Sequence, residues 1–83
     1  MKINLRYFAS VREQIGVSGE VLETTSRDLN QLRKELISRG ENYESALTEG
    51  KAIRMAINQT VCQGDALLTE NAEIAFFPPV TGG

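Results

Sequence analysis

The chain opens with strict alternation of apolar and polar positions. In KINLRYFA (2–9), Ile3, Leu5 and Tyr7 lie on one side and the polar residues between them lie on the other. This period of two predicts a half-buried strand. Phe8 breaks the alternation, because it places an aromatic ring on the polar face of that strand.

The end of the chain shows the same period in AEIAFF (72–77). Ile74 and Phe76 face one side of the predicted strand, and Ala75 and Phe77 face the other. Because the first and last strands carry apolar residues on both faces, we expect both to occupy central positions in a sheet. Further strands are predicted over 19–25 and within 52–61, with turns at Asn58-Gln59 and Gly64-Asp65.

The middle of the chain changes to a helical period. Leu29, Leu32 and Leu36 recur at helical spacing there, and Ile37 lies beside them. Their spacing predicts an amphipathic helix over 26–40. Asp28 with Gln31 resembles a capping box at the start of this helix, and Ser26 is the alternative cap. A further helical turn is indicated within 41–50.

A short helix of about one and a half turns is predicted over 10–15, between the first two strands. Ser10 and Glu13 fit a capping box at its start. Val11 and Ile15 are four residues apart, so we expect them to face inward together.

The order of these elements is strand, strand, helix and then strands. One helix packed across one side of a mixed sheet uses up a chain of this length. The sequence therefore predicts an α+β fold of the β-grasp, or ubiquitin-like, type. Residues 1–77 are expected to form the domain, and residues 78–83 a flexible, extended C-terminal tail.

Composition narrows the chemistry that such a domain carries. The chain has 83 residues, enough for one domain, and a net charge of −2 with both signs mixed along it, so no basic face for nucleic acid is expected. We expect no membrane span and no signal peptide. The single Cys62 fits a reducing compartment, which favours the cytoplasm. Without histidine or a glycine-rich phosphate loop, neither a self-contained enzyme nor a metal site is expected.

The last eight residues, FFPPVTGG (76–83), have no charged side chain. Pro78 and Pro79 restrict φ and stiffen the chain, and the six residues after the last strand reach roughly 20 Å when extended. Gly82 and Gly83 have no Cβ, so their backbone fits a channel too narrow for side chains. These properties indicate that the carboxylate of Gly83 is presented to the active site of another protein.

A carboxylate needs activation before it reacts, most simply as an acyl-adenylate that a partner enzyme makes from ATP. Sulfide transfer to that acyl group gives a thiocarboxylate, whereas attack by a lysine amine gives an isopeptide bond. The residues alone leave three functions open: a sulfur carrier, a ubiquitin-like protein modifier, and an interaction domain whose tail is idle.

Three segments resemble the family of small, sulfur-carrying subunits of molybdopterin synthase. They are LRYFASVREQIG (5–16), AINQTV (56–61) and AFFPPVTGG (75–83), and the last is the most specific. The resemblance covers nearly the whole chain. The chain departs from the family's usual turn before the last strand, where it has Asn71 and Ala72. Asparagine tolerates a left-handed conformation, so we expect the turn to form.

The resemblance implies that an activating enzyme similar to ubiquitin's E1 uses ATP to adenylate Gly83, which is then converted to a thiocarboxylate. The tail from Pro78 to Gly83 would enter the large catalytic subunit and give its sulfur to cyclic pyranopterin monophosphate. A dithiolene has two sulfurs, so two carriers are consumed per product. The implied assembly is a cytosolic heterotetramer with two large subunits, and the carrier itself binds no cofactor.

The residues expected to contact these partners are Phe8, Phe77, Pro78, Pro79, Val80, Thr81 and Gly82. Phe8 and Phe77 occupy positions that should face outward, which suggests an exposed docking patch. The alternative is that the short helix covers them. Arg6 and Arg12 are more simply solvated than bound to acidic partner surfaces. Cys62 is expected to be a small, partly buried strand residue and not a persulfide relay.

Overall fold

The computed structural model describes residues 1–79, which form five strands and three helices. In chain order these are β1 (Lys2–Tyr7), α1 (Ala9–Ile15), β2 (Gly19–Glu23), α2 (Leu29–Ile37), α3 (Glu41–Leu47), β3 (Arg54–Ile57), β4 (Thr60–Cys62) and β5 (Glu73–Phe77). Val80, Thr81, Gly82 and Gly83 lie outside the described residues.

The strands form one mixed sheet in the order β2-β1-β5-β3-β4. β1 and β5 run parallel, and every other neighbouring pair is antiparallel. The parallel pairing places Leu5 opposite Ile74 and Tyr7 opposite Phe76. The prediction that the first and last strands lie inside the sheet is therefore confirmed.

One face of the sheet packs against the helices. The alternation in β1 buries Ile3, Leu5 and Tyr7, and they share a core with the leucines of α2. The rings of Tyr7 and Phe76 lie 6.2 Å apart between their centroids at the centre of this core. The main members of the core are Ile3, Leu5, Tyr7, Val11, Ile15, Leu29, Leu32, Leu36, Leu47, Met55, Ile74 and Phe76. Because one face is buried in this way, a one-residue slip of a strand would expose its apolar set.

The main helix is shorter than the predicted 26–40 and begins after Asp28. The Asp28 carboxylate accepts a hydrogen bond from the backbone N–H of Gln31 at 2.8 Å, so Asp28 is the cap. Ser26 is not the cap. It is buried, and its hydroxyl donates to the carboxylate of Glu35 at 2.8 Å.

The segment predicted as a further turn forms a complete helix, α3. Arg33 of α2 donates from its guanidinium to the carbonyl oxygens of Leu47 and Thr48 at the end of α3, at 2.7 and 2.8 Å, and to that of Lys51 in the following loop, at 3.0 Å. Backbone acceptors at a helix end need such partners, so Arg33 fixes α3 to α2.

The capping box predicted at Ser10 and Glu13 is wrong. α1 begins one residue earlier, at Ala9, with Phe8 in the cap position and no side-chain cap. The N–H of Phe8 donates to the carbonyl of Phe76 at 3.1 Å, so the sheet fixes the point at which the chain turns into the helix. Ala9 then takes a φ of +50°, which is unusual for a residue with a side chain.

The two asparagine turns form as predicted. Asn58 and Gln59 have φ values of +49° and +71° and link β3 to β4, as a two-residue hairpin loop of primed type requires. Asn71 has a φ of +65° immediately before β5. Cys62 is a partly buried residue of β4, as expected.

Candidate partner-docking surface

The second face of the sheet carries none of the helices of the described chain, and we call it the open face. It holds the residues that alternate with the core residues along each strand. From β2 to β4 these include Val21, Asn4, Arg6, Glu73, Ala75, Phe77, Arg54, Ala56 and Val61. Val21 and Val61 are more than half exposed, at 61% and 53%. Exposed apolar side chains gathered on one face indicate an interaction surface.

A groove of about 750 Å³ runs across the open face and is mostly apolar. It is lined by Arg6, Phe8, Ala9, Ala56, Gln59, Val61, Glu73, Ala75, Phe77, Pro78 and Pro79. A shallower site beside it, next to Asn4 and Val21, has about half this volume, 370 Å³.

The structure brings Phe8 and Phe77 together in this groove. Phe8 follows β1 and is 42% exposed, so α1 does not cover it. Phe77 ends β5 and is partly buried. The expected exposed patch therefore exists as a geometric feature, and its role in binding partners stays a prediction.

Pro78 and Pro79 line the same groove directly after β5. The chain thus passes along the groove as it leaves β5. The remaining predicted contacts, Val80, Thr81 and Gly82, and the predicted reactive residue Gly83 lie beyond the described part of the chain. The domain boundary after residue 77 also stays a prediction.

The charged rim of the groove is formed by Arg6 and Glu73. Their guanidinium and carboxylate are 4.0 Å apart, and both side chains are at least a third exposed, so the pair adds little to stability. The Arg6 guanidinium also lies 5.7 Å from the centroid of the Phe8 ring. This contact supports the exposed ring from one side.

The groove residues that sequence reasoning missed include Ala56, Ala75 and Val61. Ala56 pairs with Ala75 across β3 and β5 and with Val61 across β3 and β4. Both alanines occupy outward-facing positions of their strands, where polar residues are usual, and this could have indicated that they belong to the groove. The indication can be used only when the pairing of the strands is known.

Apart from the groove, a polar cluster lies on the core side of β2 and is centred on Glu20. Its carboxylate accepts hydrogen bonds from the hydroxyls of Tyr7 and Tyr43 and from Arg39. Burial acts to raise the pKa of Glu20, but the hydrogen bonds from the two tyrosines and the charge of Arg39 outweigh it and hold this pKa below its usual value. Burial and the neighbouring carboxylate raise the pKa of the Tyr7 hydroxyl. The cluster joins β1, β2 and α3, which is a structural role.

No group of three His, Cys, Asp or Glu side chains within residues 1–79 is placed to hold a metal ion. Over the same residues, none of the helices has the length and apolar character needed to cross a membrane. The groove and the chain that leaves it are therefore the best candidate site in the described structure.

The arrangement of sheet and helices defines the class of the protein as ubiquitin-like β-grasp. The crystal structure of SAMP1 from Haloferax volcanii has a TM-score of 0.80 and 20% identity, and the match covers 100% of both chains. A protein–protein complex of subunits 1 and 2 of molybdopterin-converting factor from Helicobacter pylori contains a chain with a TM-score of 0.69 and 24% identity, also over 100% of both chains. These likenesses confirm the predicted fold.

The chain belongs to the ThiS family, whose model matches residues 5–83. It is also 41% identical over 81 residues to the molybdopterin synthase sulfur carrier subunit of Haemophilus influenzae, over 98% of this chain and 99% of that protein. The family resemblance read from the sequence motifs is thus confirmed.

Proposed function

We propose that this protein is the sulfur carrier of a molybdopterin synthase in molybdenum cofactor biosynthesis. The observation that carries the proposal is the continuity of the Phe8–Phe77 groove with Pro78 and Pro79. A partner that binds this groove holds the start of the segment that leads to Gly83. The 41% identity over nearly the whole chain to a sulfur carrier subunit of that synthase supports the same function.

Three chemical steps follow for Gly83. An E1-like activating enzyme joins its carboxylate to AMP from ATP and releases pyrophosphate. Sulfide-level sulfur then displaces AMP and leaves a thiocarboxylate. In the synthase the sulfur of the thiocarboxylate passes to cyclic pyranopterin monophosphate, and hydrolysis returns the Gly83 carboxylate. The described residues supply docking and orientation in these steps, and the partners supply the catalytic groups.

The proposed partners are the large catalytic subunit of the synthase and the activating enzyme. The Helicobacter pylori complex of subunits 1 and 2 of molybdopterin-converting factor supports a partner of the first kind. We propose a heterotetramer with two large subunits, located in the cytoplasm. The apolar groove with few charged groups suits a protein partner better than a nucleic acid.

The intact mass of the protein purified from its own cells tests the proposal. A fraction heavier by the difference between sulfur and oxygen, located at Gly83 in the C-terminal peptide, would support it. Addition of the large subunit and the pyranopterin precursor should return this fraction to the carboxylate mass. A matched control is the chain that ends at Gly82, which should show no heavier fraction.

The proposal fails if only the carboxylate mass is found when the activating enzyme, ATP and a sulfur source are all supplied. Lysine conjugates of the protein in cell extract, with no thiocarboxylate, would instead favour a protein modifier.

A further inference from the structure

The floor of the groove consists of two alanines that face each other across neighbouring strands. Ala56 of β3 and Ala75 of β5 are register partners. Both are nearly buried, at 5% and 8% exposure, although they belong to the open face. Phe8, Phe77 and Val61 surround them and stand higher, because each carries a larger side chain. A floor of two methyl groups between taller walls forms a depression in an otherwise flat sheet.

Two arginines of the open face lie near this depression, Arg6 in the lining of the groove and Arg54 just outside it. Arg6 of β1 is the register partner of Ala75, and Arg54 of β3 is the partner of Phe77. Arg6 has the carboxylate of Glu73 near it. Arg54 is exposed and takes part in none of the ion pairs found within residues 1–79. The depression is therefore apolar at its centre, carries the Arg6–Glu73 pair on the β1 side, and has the exposed Arg54 beside Phe77 just outside the groove.

We propose that Ala56 and Ala75 form a socket for one large aliphatic or aromatic side chain of the synthase large subunit, and that an acidic residue next to that side chain pairs with Arg54. This inference rests on the proposed function, because it specifies how the proposed partner docks. A large apolar side chain that fills a pocket at the centre of an interface commonly carries much of the binding energy, while charges at the rim govern association rate and specificity.

The shape of the groove argues against a second copy of this chain as the occupant. A two-fold contact would place one depression against another, because an isologous interface uses the same patch twice. A two-fold axis through the centre of the groove would set one alanine floor against the other. The carboxylate that the groove itself offers is Glu73, which already lies 4.0 Å from the guanidinium of Arg6 in its own chain, so a second copy brings no unpaired carboxylate for Arg54. A partner with a protruding apolar residue and an adjacent carboxylate fits both features.

Filling the socket tests the proposal directly. Ala75→Phe and Ala56→Leu should each weaken binding of the large subunit to the full-length chain by at least about 30-fold, since the anchor side chain is then excluded. Val21→Phe is the matched control, because it adds bulk to an exposed position of the same open face outside the groove. Its dissociation constant should stay within about two-fold of that of the unsubstituted chain, as for a side chain outside the interface centre.

Two variants probe the walls and the charge without touching the core. Val61→Ala lowers one wall on an exposed edge strand, and it should weaken binding about 5-fold through lost apolar contact. Arg54→Glu should weaken binding about 10-fold at low salt and less at high salt, because the paired charges are screened. If circular dichroism shows that Ala75→Phe or Ala56→Leu is unfolded, Val61→Ala and Arg54→Glu test the socket instead.

Several results would overturn the proposal. If folded Ala75→Phe and Ala56→Leu bind the large subunit as tightly as the unsubstituted chain, the socket is not occupied. If Arg54→Glu binds the large subunit as tightly as the unsubstituted chain, no acidic residue of the partner pairs with Arg54. A second copy would be identified as the occupant by two results together. The unsubstituted chain would self-associate in sedimentation, and Ala75→Phe would make it monomeric without changing its affinity for the large subunit. Absence of any binding by the unsubstituted chain would overturn the proposed partner itself, which is a distinct result.

Discussion

The hydroxyls of Tyr7 and Tyr43 donate to the same oxygen atom, Oε2 of Glu20, each at 2.8 Å. The other carboxylate oxygen of Glu20 accepts from Arg39 at 3.1 Å, and the Arg39 guanidinium lies 4.8 Å from the centroid of the Tyr43 ring. One carboxylate of β2 therefore ties together β1, α3 and the segment between α2 and α3. Such shared acceptors fix the geometry of several elements at once.

Glu20→Ala should lower the free energy of unfolding by about 2–3 kcal/mol, because the buried Tyr7 hydroxyl loses a charged acceptor. The melting temperature should fall by about 10–20 °C for a domain of this size. The matched control is Glu23→Ala on the same strand, whose side chain is 77% exposed and whose carboxylate pairs with the N-terminal ammonium at 3.3 Å. Equal melting temperatures for the two variants would contradict a structural role for Glu20.

The stability that Glu20 contributes should depend on pH. Because its pKa is lowered in the folded state, this contribution is complete above the unfolded carboxyl pKa of about 4.3 and is lost as the pH falls through the folded value. The difference in unfolding free energy between the unsubstituted chain and Glu20→Gln should stay constant from about pH 6 to 8 and shrink below about pH 4. Urea unfolding across this range measures it, and a difference that does not change with pH would refute the assignment.

Ala9→Gly should stabilise the domain by about 0.5–1 kcal/mol, although it replaces alanine within a helix. The φ of +50° at Ala9 is unfavourable for any residue with a Cβ, and glycine removes that energy at the cost of some backbone entropy. Ser10→Gly is the control, because Ser10 lies in the same helix, is exposed and does not have a positive φ. In thermal unfolding, the melting temperature of Ala9→Gly should be higher than that of the unsubstituted chain, and that of Ser10→Gly should be lower. A loss of stability for Ala9→Gly would show that the turn after β1 is not strained.

Gly19→Ala should destabilise the domain by about 1–3 kcal/mol, as forced overpacking does. A Cβ at Gly19 would lie 2.5 Å from the carbonyl oxygen of Leu5, and this oxygen belongs to the backbone of the neighbouring strand. Gly50→Ala provides the comparison, because a Cβ there meets no atom within 4 Å. If denaturant midpoints of the two variants agree, the strands have room to separate at Gly19.

Phe8→Ser should weaken binding of the proposed large subunit by about 10-fold or more, because it removes a wall of the groove. Its effect on the melting temperature should be small, since the ring is already 42% exposed. Leu67→Ser removes a side chain that is 71% exposed and lies outside the groove, so its binding should be unchanged. If both variants bind the large subunit more weakly by the same factor, the loss does not depend on the groove.

Local patterns were sufficient to predict most of the fold. The alternation of Ile3, Leu5 and Tyr7 identified a strand with one buried face, and the conformational preference of asparagine predicted the turns at Asn58 and Asn71. These features depend on neighbours in the sequence, so the sequence contains the information needed.

Features that depend on distant partners were not predictable in the same way. Ser10 has the spacing of a capping residue, but the start of α1 is set by the hydrogen bond between Phe8 and Phe76, nearly a whole chain apart. The convergence of Tyr7 and Tyr43 on Glu20, and the pairing of Ala56 with Ala75, likewise require the register of the sheet. The aromatic walls of the groove could be predicted, whereas its floor could not.

The position of β5 has a consequence for the synthesis of the protein. β5 is the last strand in sequence, yet it lies between β1 and β3 in the middle of the sheet. A nascent chain that has not released residue 77 from the ribosome lacks the strand that joins the two halves, and contacts between sequence-distant strands form slowly. The groove, the start of the tail at Pro78 and the complete sheet therefore all form when β5 pairs with β1 and β3. A chain that lacks β5 leaves β1 and β3 without the strand that lies between them, and it has no complete groove.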